Sequence, residues 1–127
     1  MKKLLIVLLV SICPGMLSCR NHNNTSITVK DSHRYYSMEA SYNETLTHNV
    51  ERYMNDNLGT IDSTFLLDGI ADRSFTLGDH TTFHLTNEPG YISLKLDKGA
   101  NSKASYHRIK SICNGIKQIV TLPIRKD

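Results

Sequence analysis

The chain has 127 residues, of which 39% are hydrophobic and 21% charged, with a formal net charge of +3. This length predicts a single domain. Two of the 15 basic residues, Lys2 and Lys3, lie at the extreme N-terminus, which leaves 13 basic against 12 acidic residues elsewhere. Such a nearly neutral remainder argues against nucleic acid as a partner, because counterion release on binding requires clustered positive charge.

The N-terminus has the pattern of a secretory signal. Lys2 and Lys3 precede an unbroken apolar run from Leu4 to Val10, and the mainly apolar stretch continues to Ser18. As a helix, the stretch from Leu4 to Ser18 would be about 22 Å long, whereas a bilayer core needs about 30 Å. We therefore expect residues 1–18 to be a signal peptide that is removed, rather than a retained membrane span.

The end of this leader resembles the lipobox of bacterial lipoprotein precursors. The residues are Met16-Leu17-Ser18-Cys19, with Met16 where leucine is usual and Leu17 where a small residue is commoner. The resemblance implies that Cys19 receives two or three acyl chains, which is enough for stable membrane anchoring. If Gram-negative sorting rules apply, Arg20 in place of an aspartate implies the outer membrane. The alternative is ordinary cleavage, which would leave Cys19 free to pair with Cys113.

The mature chain is predicted to divide into a tether and a domain. Residues 19–34 are polar and rich in Asn, Ser and Thr, which predicts a lipidated cysteine and flexible tether, with a short strand possible at 26–29. Residues 35–127 are predicted to form one small domain. Its first helix should run from Ser41 to Leu58, because Ser41 and Glu44 have capping-box spacing and apolar residues follow at three- and four-residue steps.

Four strands and a second helix are predicted to follow. The strands are expected at residues 60–67, 73–77, 81–86 and 91–97, the last with alternating Ile92, Leu94 and Leu96. A helix should begin after Ser102 and end before Pro123, with an apolar stripe that includes Cys113 as a buried side chain. Gly115 lies within this stripe, where it would allow close approach of another element.

These elements predict an α+β fold in the order α-β-β-β-β-α. An antiparallel sheet of about four strands would carry both amphipathic helices on one face, in two layers. The other sheet face would be left bare. We therefore expect a possible interaction surface there, formed by Thr82, His84, Ser93 and Lys95.

No catalytic, metal-binding or cofactor-binding pattern is recognisable. His80 and His84 would lie about 13 Å apart on a strand, too far to hold one metal ion. His107 and Cys113 fall on opposite faces of the last helix, so they cannot act as base and nucleophile. We therefore expect a protein that is not an enzyme and needs no cofactor.

The sequence thus predicts a small lipid-anchored envelope protein with a protein-binding or structural role, whose partner is another envelope protein. Two alternatives remain open at this stage. One is a lipoprotein that neutralises a toxin or inhibits an enzyme. The other is a small envelope hydrolase or ligand-binding protein, for which a deep pocket lined by His or Asp would be the sign.

Overall fold

The computed structural model describes residues 25–121, which form five strands and two α-helices. Two short 3-10 turns, Glu44–Leu46 and Lys98–Ala100, precede the helices. The elements in chain order are β1 Ser26–Asp31, β2 Tyr35–Ser41, α1 Thr47–Leu58, β3 Ala71–Thr76, β4 Thr82–Glu88, β5 Tyr91–Asp97 and α2 Lys103–Val120.

The strands form one antiparallel sheet in the order β1-β2-β5-β4-β3. Three hairpins account for most of it, β1 with β2, β3 with β4, and β4 with β5. The remaining pairing, β2 with β5, joins the N-terminal hairpin to the other three strands. In this register Met38 lies between Val29 and Leu94, so that side chains of one row point to the same face.

One face of the sheet carries the core. Alternate residues of β2, β4 and β5 are buried against apolar residues of both helices, as expected from a strand period of two and a helix period near 3.6. The fully buried side chains include Tyr36, Met38, Phe83, Leu85, Ile92, Leu94 and Leu96 from the sheet, and Val50, Met54, Leu58, Ile109 and Ile116 from the helices. The predicted α+β class, with both helices on one face of an antiparallel sheet, is confirmed.

The N-terminal hairpin corrects the predicted boundaries. Residues 26–34 were expected in the tether, with a short strand considered at 26–29, but β1 runs to Asp31 and pairs with β2 along its whole length. The domain therefore includes Thr25, and within residues 25–121 the sheet has five strands and the element order is β-β-α-β-β-β-α. Asp31 at the end of β1 makes further contacts. The Lys98 ammonium donates to its carboxylate at 2.7 Å and forms an ion pair, and the Tyr106 hydroxyl of α2 donates to the same carboxylate at 2.6 Å.

The first helix and the following segment also differ from the prediction. Ser41 ends β2, and α1 begins only at Thr47. Residues 60–67 form turns and irregular chain instead of a strand. The Asn55 side chain forms two hydrogen bonds with the backbone of Leu67. Its Nδ2 donates to the Leu67 carbonyl at 3.0 Å, and its Oδ1 accepts from the Leu67 amide at 2.7 Å.

Gly115 lies where the two helices meet, as predicted. A Cβ atom added there would overlap the hydroxyl and ring of Tyr53 on α1. Glycine costs about 1 kcal/mol against alanine within a helix. The close approach of α1 and α2 compensates for this cost, because it lets Tyr53 pack onto the α2 backbone.

Candidate interaction surface

The second face of the sheet is polar throughout and is not covered by either helix. Cross-strand neighbours form rows, because residues paired in register point to the same face. One row contains Thr28, Glu39, Ser93, Thr86 and Asp72. The next contains Lys30, Ser37, Lys95, His84 and Ser74. We call this surface the open face.

The four residues predicted as an interaction surface all lie on the open face. His84 is directly opposite Lys95 on the neighbouring strand, and both side chains are exposed. Thr82 and Ser93 are half-buried on the same side. The structure therefore brings these residues together, while their role in binding stays a prediction.

Two adjoining depressions make the open face concave. One, of about 340 Å³, lies over β1, β2 and β5 and is lined by Thr28, Lys30, Ser32, Tyr35, Ser37, Glu39, Ser93 and Lys95. The other, of about 180 Å³, includes Thr82 and His84 in its lining. Tyr35 and Lys95 border both, and the Lys95 ammonium lies 4.5 Å from the centre of the Tyr35 ring. This distance is typical of a cation–π contact.

Tyr35 and Lys30 were missed by the sequence-based prediction because they belong to the segment assigned to the tether or its border. A signal was present: Tyr36, Met38 and Ala40 alternate with Ser37 and Glu39, as in a half-buried strand. The hairpin therefore adds one wall to the open face.

A serine, a histidine and an aspartate lie in series on the open face. His84 Nε2 is 2.7 Å from an Asp72 carboxylate oxygen, and its Nδ1 is 3.3 Å from the Ser74 hydroxyl. The pKa of Asp72 is lowered mainly by the hydrogen bond from His84 and, to a smaller extent, by the one from Thr86. However, the Asp72 and His84 side chains are 71% and 48% exposed. Acyl transfer depends on preorganised oxyanion donors in a site that excludes water, so we interpret this array as a cross-strand polar network.

A second polar cluster lies beside α1. The buried Glu51 carboxylate accepts a hydrogen bond from Asn87 Nδ2 at 2.9 Å, and the same nitrogen donates to the Gly69 carbonyl at 2.8 Å. A depression of about 300 Å³ next to it is lined partly by Glu44, His48 and Asp68. Since Glu51 is already bonded within the protein, this cluster serves to hold α1, β4 and the loop before β3 together.

Cys113 is fully buried in α2, as the apolar stripe predicted. Burial raises the pKa of its thiol to about 12, although a hydrogen bond with Tyr36 and the charge of Lys117 act in the opposite direction. A thiol of this kind is almost wholly protonated at neutral pH and is a poor nucleophile. Cys113 is therefore a packing residue.

Between Thr25 and Thr121, no three His, Cys, Asp or Glu side chains are grouped so that they could hold a metal ion. Over the same range no helix has the length and apolar character needed to span a bilayer. The predicted signal peptide and the Met16–Cys19 motif lie outside the described residues, so both continue to depend on the sequence pattern.

Comparisons with protein-family models, with curated proteins and with solved structures give no match to this chain.

Proposed function

We propose that this protein is a small lipid-anchored protein of a bacterial envelope whose open face binds another protein. The observation that carries the proposal is the concave polar surface centred on Tyr35 and Lys95, which no other part of residues 25–121 covers. Amphipathic aromatic side chains next to small polar residues favour protein contacts, because a ring buries much area at little entropic cost.

A role in binding a partner agrees with where the domain has packed apolar surfaces and where it has exposed polar groups. The covered sheet face and the inner sides of the helices are occupied in packing, and the Ser74, His84 and Asp72 array is too exposed for catalysis of its own. The open face is both large and accessible, and it offers donors, acceptors and charges of both signs. Such a surface suits a polar protein interface, in which each hydrogen bond adds specificity more than affinity.

The anchor is proposed from the lipobox resemblance at Cys19. Mass spectrometry of the mature protein tests it directly: an acylated N-terminal Cys19 supports the anchor, and an unmodified thiol at that position contradicts it. The variant Cys19→Ser should leave the membrane fraction and appear in the soluble fraction. A variant that stays in the membrane pellet would show that another part of the chain holds the protein there.

The binding surface is tested by site-specific photo-crosslinking in intact cells. A photoreactive residue at Ser93, in the middle of the open face, should give a discrete adduct with one envelope protein. The matched control is Gln118, which is exposed on α2. Adducts from Gln118 and none from Ser93 would place the interface on the helices and overturn the proposal.

The same experiment separates the binding role from toxin neutralisation. If the adduct at Ser93 contains a toxic effector, and if deletion of the protein causes toxicity only when that effector is present, the partner is a target of inhibition. An adduct with a resident envelope protein supports the structural or binding role.

A further inference from the structure

The two ends of the domain are defined by contacts of β1 with α2. At one end the Thr25 hydroxyl donates to the Val120 carbonyl at 3.4 Å. At the other, Asp31 accepts from Tyr106 near the start of α2. Strand and helix therefore run side by side in opposite directions. We call the end at Thr25 and Val120 the attachment end and the opposite one the distal end.

The rest of the sheet assigns further residues to these ends. Ser26, Ser41 and Tyr91 lie in one cross-strand row at the attachment end, together with the turn between β4 and β5. The hairpin turn at 32–34 and the start of α2 lie at the distal end. The strands of the open face therefore run from one end to the other.

The connection between the proposed lipid and the domain is short because β1 begins so early. Six residue steps separate Cys19 from Thr25. At about 3.3–3.6 Å per residue, they span at most about 22 Å in any conformation. The 18-residue helix α2 spans the domain between its ends, and its length is about 27 Å at about 1.5 Å per residue.

These two lengths restrict how the domain can sit on a bilayer. If the domain stood inverted on its distal end, Thr25 would be about 27 Å above the lipid, which exceeds the reach of the connection. Partly inverted positions would require the connection to be stretched, which costs conformational entropy. We propose that the attachment end faces the lipid surface and the distal end faces away from it. This proposal depends on the proposed lipid at Cys19, and it leaves the domain upright or inclined, always with the attachment end nearer the lipid than the distal end.

The composition of the attachment end is consistent with lipid contact that is apolar and weak. Ile70, which directly precedes β3 at this end, is 76% exposed, and Pro89 is exposed in the neighbouring turn. Glu44 and Glu88 are also exposed there. Anionic headgroups would repel these carboxylates, so the short connection, rather than charge attraction, determines the orientation.

This orientation also sets where a partner must be. The centre of the open face, near Ser93, lies two residues from the attachment-end row, or about 7 Å along the strands. Added to the reach of the connection, this places the centre of the face within about 30 Å of the membrane surface. A protein held at the same membrane can meet it side-on.

The orientation can be measured by energy transfer in liposomes. Lipidated full-length protein would be labelled through Ser41→Cys at the attachment end or His33→Cys at the distal end, with an acceptor dye on the phosphatidylcholine headgroups. Both positions are exposed, and the buried Cys113 should not take up the dye. Ser41 ends β2 and His33 lies in the hairpin turn before that strand, so the two positions are at least about 20 Å apart. We expect transfer from Ser41→Cys to exceed transfer from His33→Cys at least about twofold.

Two controls make each outcome decisive. A 20-residue Gly/Ser insertion after Asn24 should remove the difference between the two labels, since the longer connection permits every orientation. Equal transfer from both labels without the insertion would overturn the proposed orientation, as would a difference that survives the insertion. If the Cys19→Ser protein binds the liposomes as well as the lipidated protein does, the proposed anchor itself is wrong.

Discussion

The two faces of one sheet differ in what their side chains do. On β5, Leu94 is fully buried under the helices, while its neighbour Lys95 points into the solvent beside Tyr35. The covered face holds the fold together, because it removes apolar area from water. The open face contributes little to that core, so its residues are free to serve recognition. Mutations on the two faces should therefore affect different properties.

The largest contrast should be in thiol reactivity. Cys113 on the covered side has a pKa near 12, whereas a cysteine at Thr28→Cys on the open face should titrate near the ordinary value of about 8.5. At pH 7.5 we expect the exposed thiol to react with iodoacetamide more than about a thousandfold faster than Cys113. The exposed thiol has a larger thiolate fraction, and the reagent can reach it. Comparable rates in the folded protein would show that the core around Cys113 opens readily.

Truncation of adjacent residues on β5 should separate stability from binding. Leu94→Ala should lower the free energy of unfolding by about 2–5 kcal/mol, because it removes buried methyl groups and leaves a cavity. Lys95→Ala should change it by less than about 0.5 kcal/mol, as exposed substitutions do. Urea denaturation followed by circular dichroism measures both. Equal losses would mean that the open face is covered in the folded protein.

A smaller effect is expected where the helices touch. Gly115→Ala gains about 1 kcal/mol of helix propensity but forces Tyr53 to move, and overpacking of this kind costs about 1–3 kcal/mol. We expect net destabilisation in the native background and stabilisation by up to about 1 kcal/mol in a Tyr53→Ala background. The same sign in both backgrounds would contradict the close helix contact inferred here.

The smallest effect should appear at acid pH. Hydrogen bonds from Lys98, then from Tyr106, hold the pKa of Asp31 below its ordinary value near 4. Stabilisation from a lowered pKa is present above the unfolded-state value and disappears as the pH falls through the folded-state value. Unfolding measured between pH 7 and pH 2 should therefore show a weaker loss of stability for Asp31→Asn than for the native protein. Identical pH profiles would rule out a stabilising role for the contacts of Asp31 with Lys98 and Tyr106.

Some of the fold could be predicted from the sequence because local and tertiary signals agree. Strand β5 follows its apolar alternation residue by residue, and α2 begins after Ser102, whose hydroxyl accepts the Ser105 amide at 3.0 Å. Thr82, His84, Ser93 and Lys95 were correctly placed on one face for the same reason.

Strand β1 shows why the rest could be predicted only in part. A short strand was considered at 26–29, but its side chains are exposed or half-buried, so no apolar pattern separates the full strand from a polar tether. Pairing with β2 and the contacts of Asp31 with α2 hold it in place, and neither is visible from nearby residues. Residues 60–67 show the reverse case: their composition is strand-like, but they form turns and irregular chain. The Asn55 side chain bonds the backbone of Leu67 at the end of this segment.

We propose that the open face, and not the helical side, meets a partner in the envelope. Hydroxyl-radical footprinting of the protein in intact envelopes, compared with the purified domain, distinguishes the two sides. Tyr35 is half-exposed on the open face, away from the attachment end, and Tyr106 is half-exposed on α2. We expect Tyr35 to be protected from oxidation in the envelope while Tyr106 is oxidised equally in both samples. Protection of Tyr106 with unchanged oxidation of Tyr35 would show that the helical side meets the partner instead.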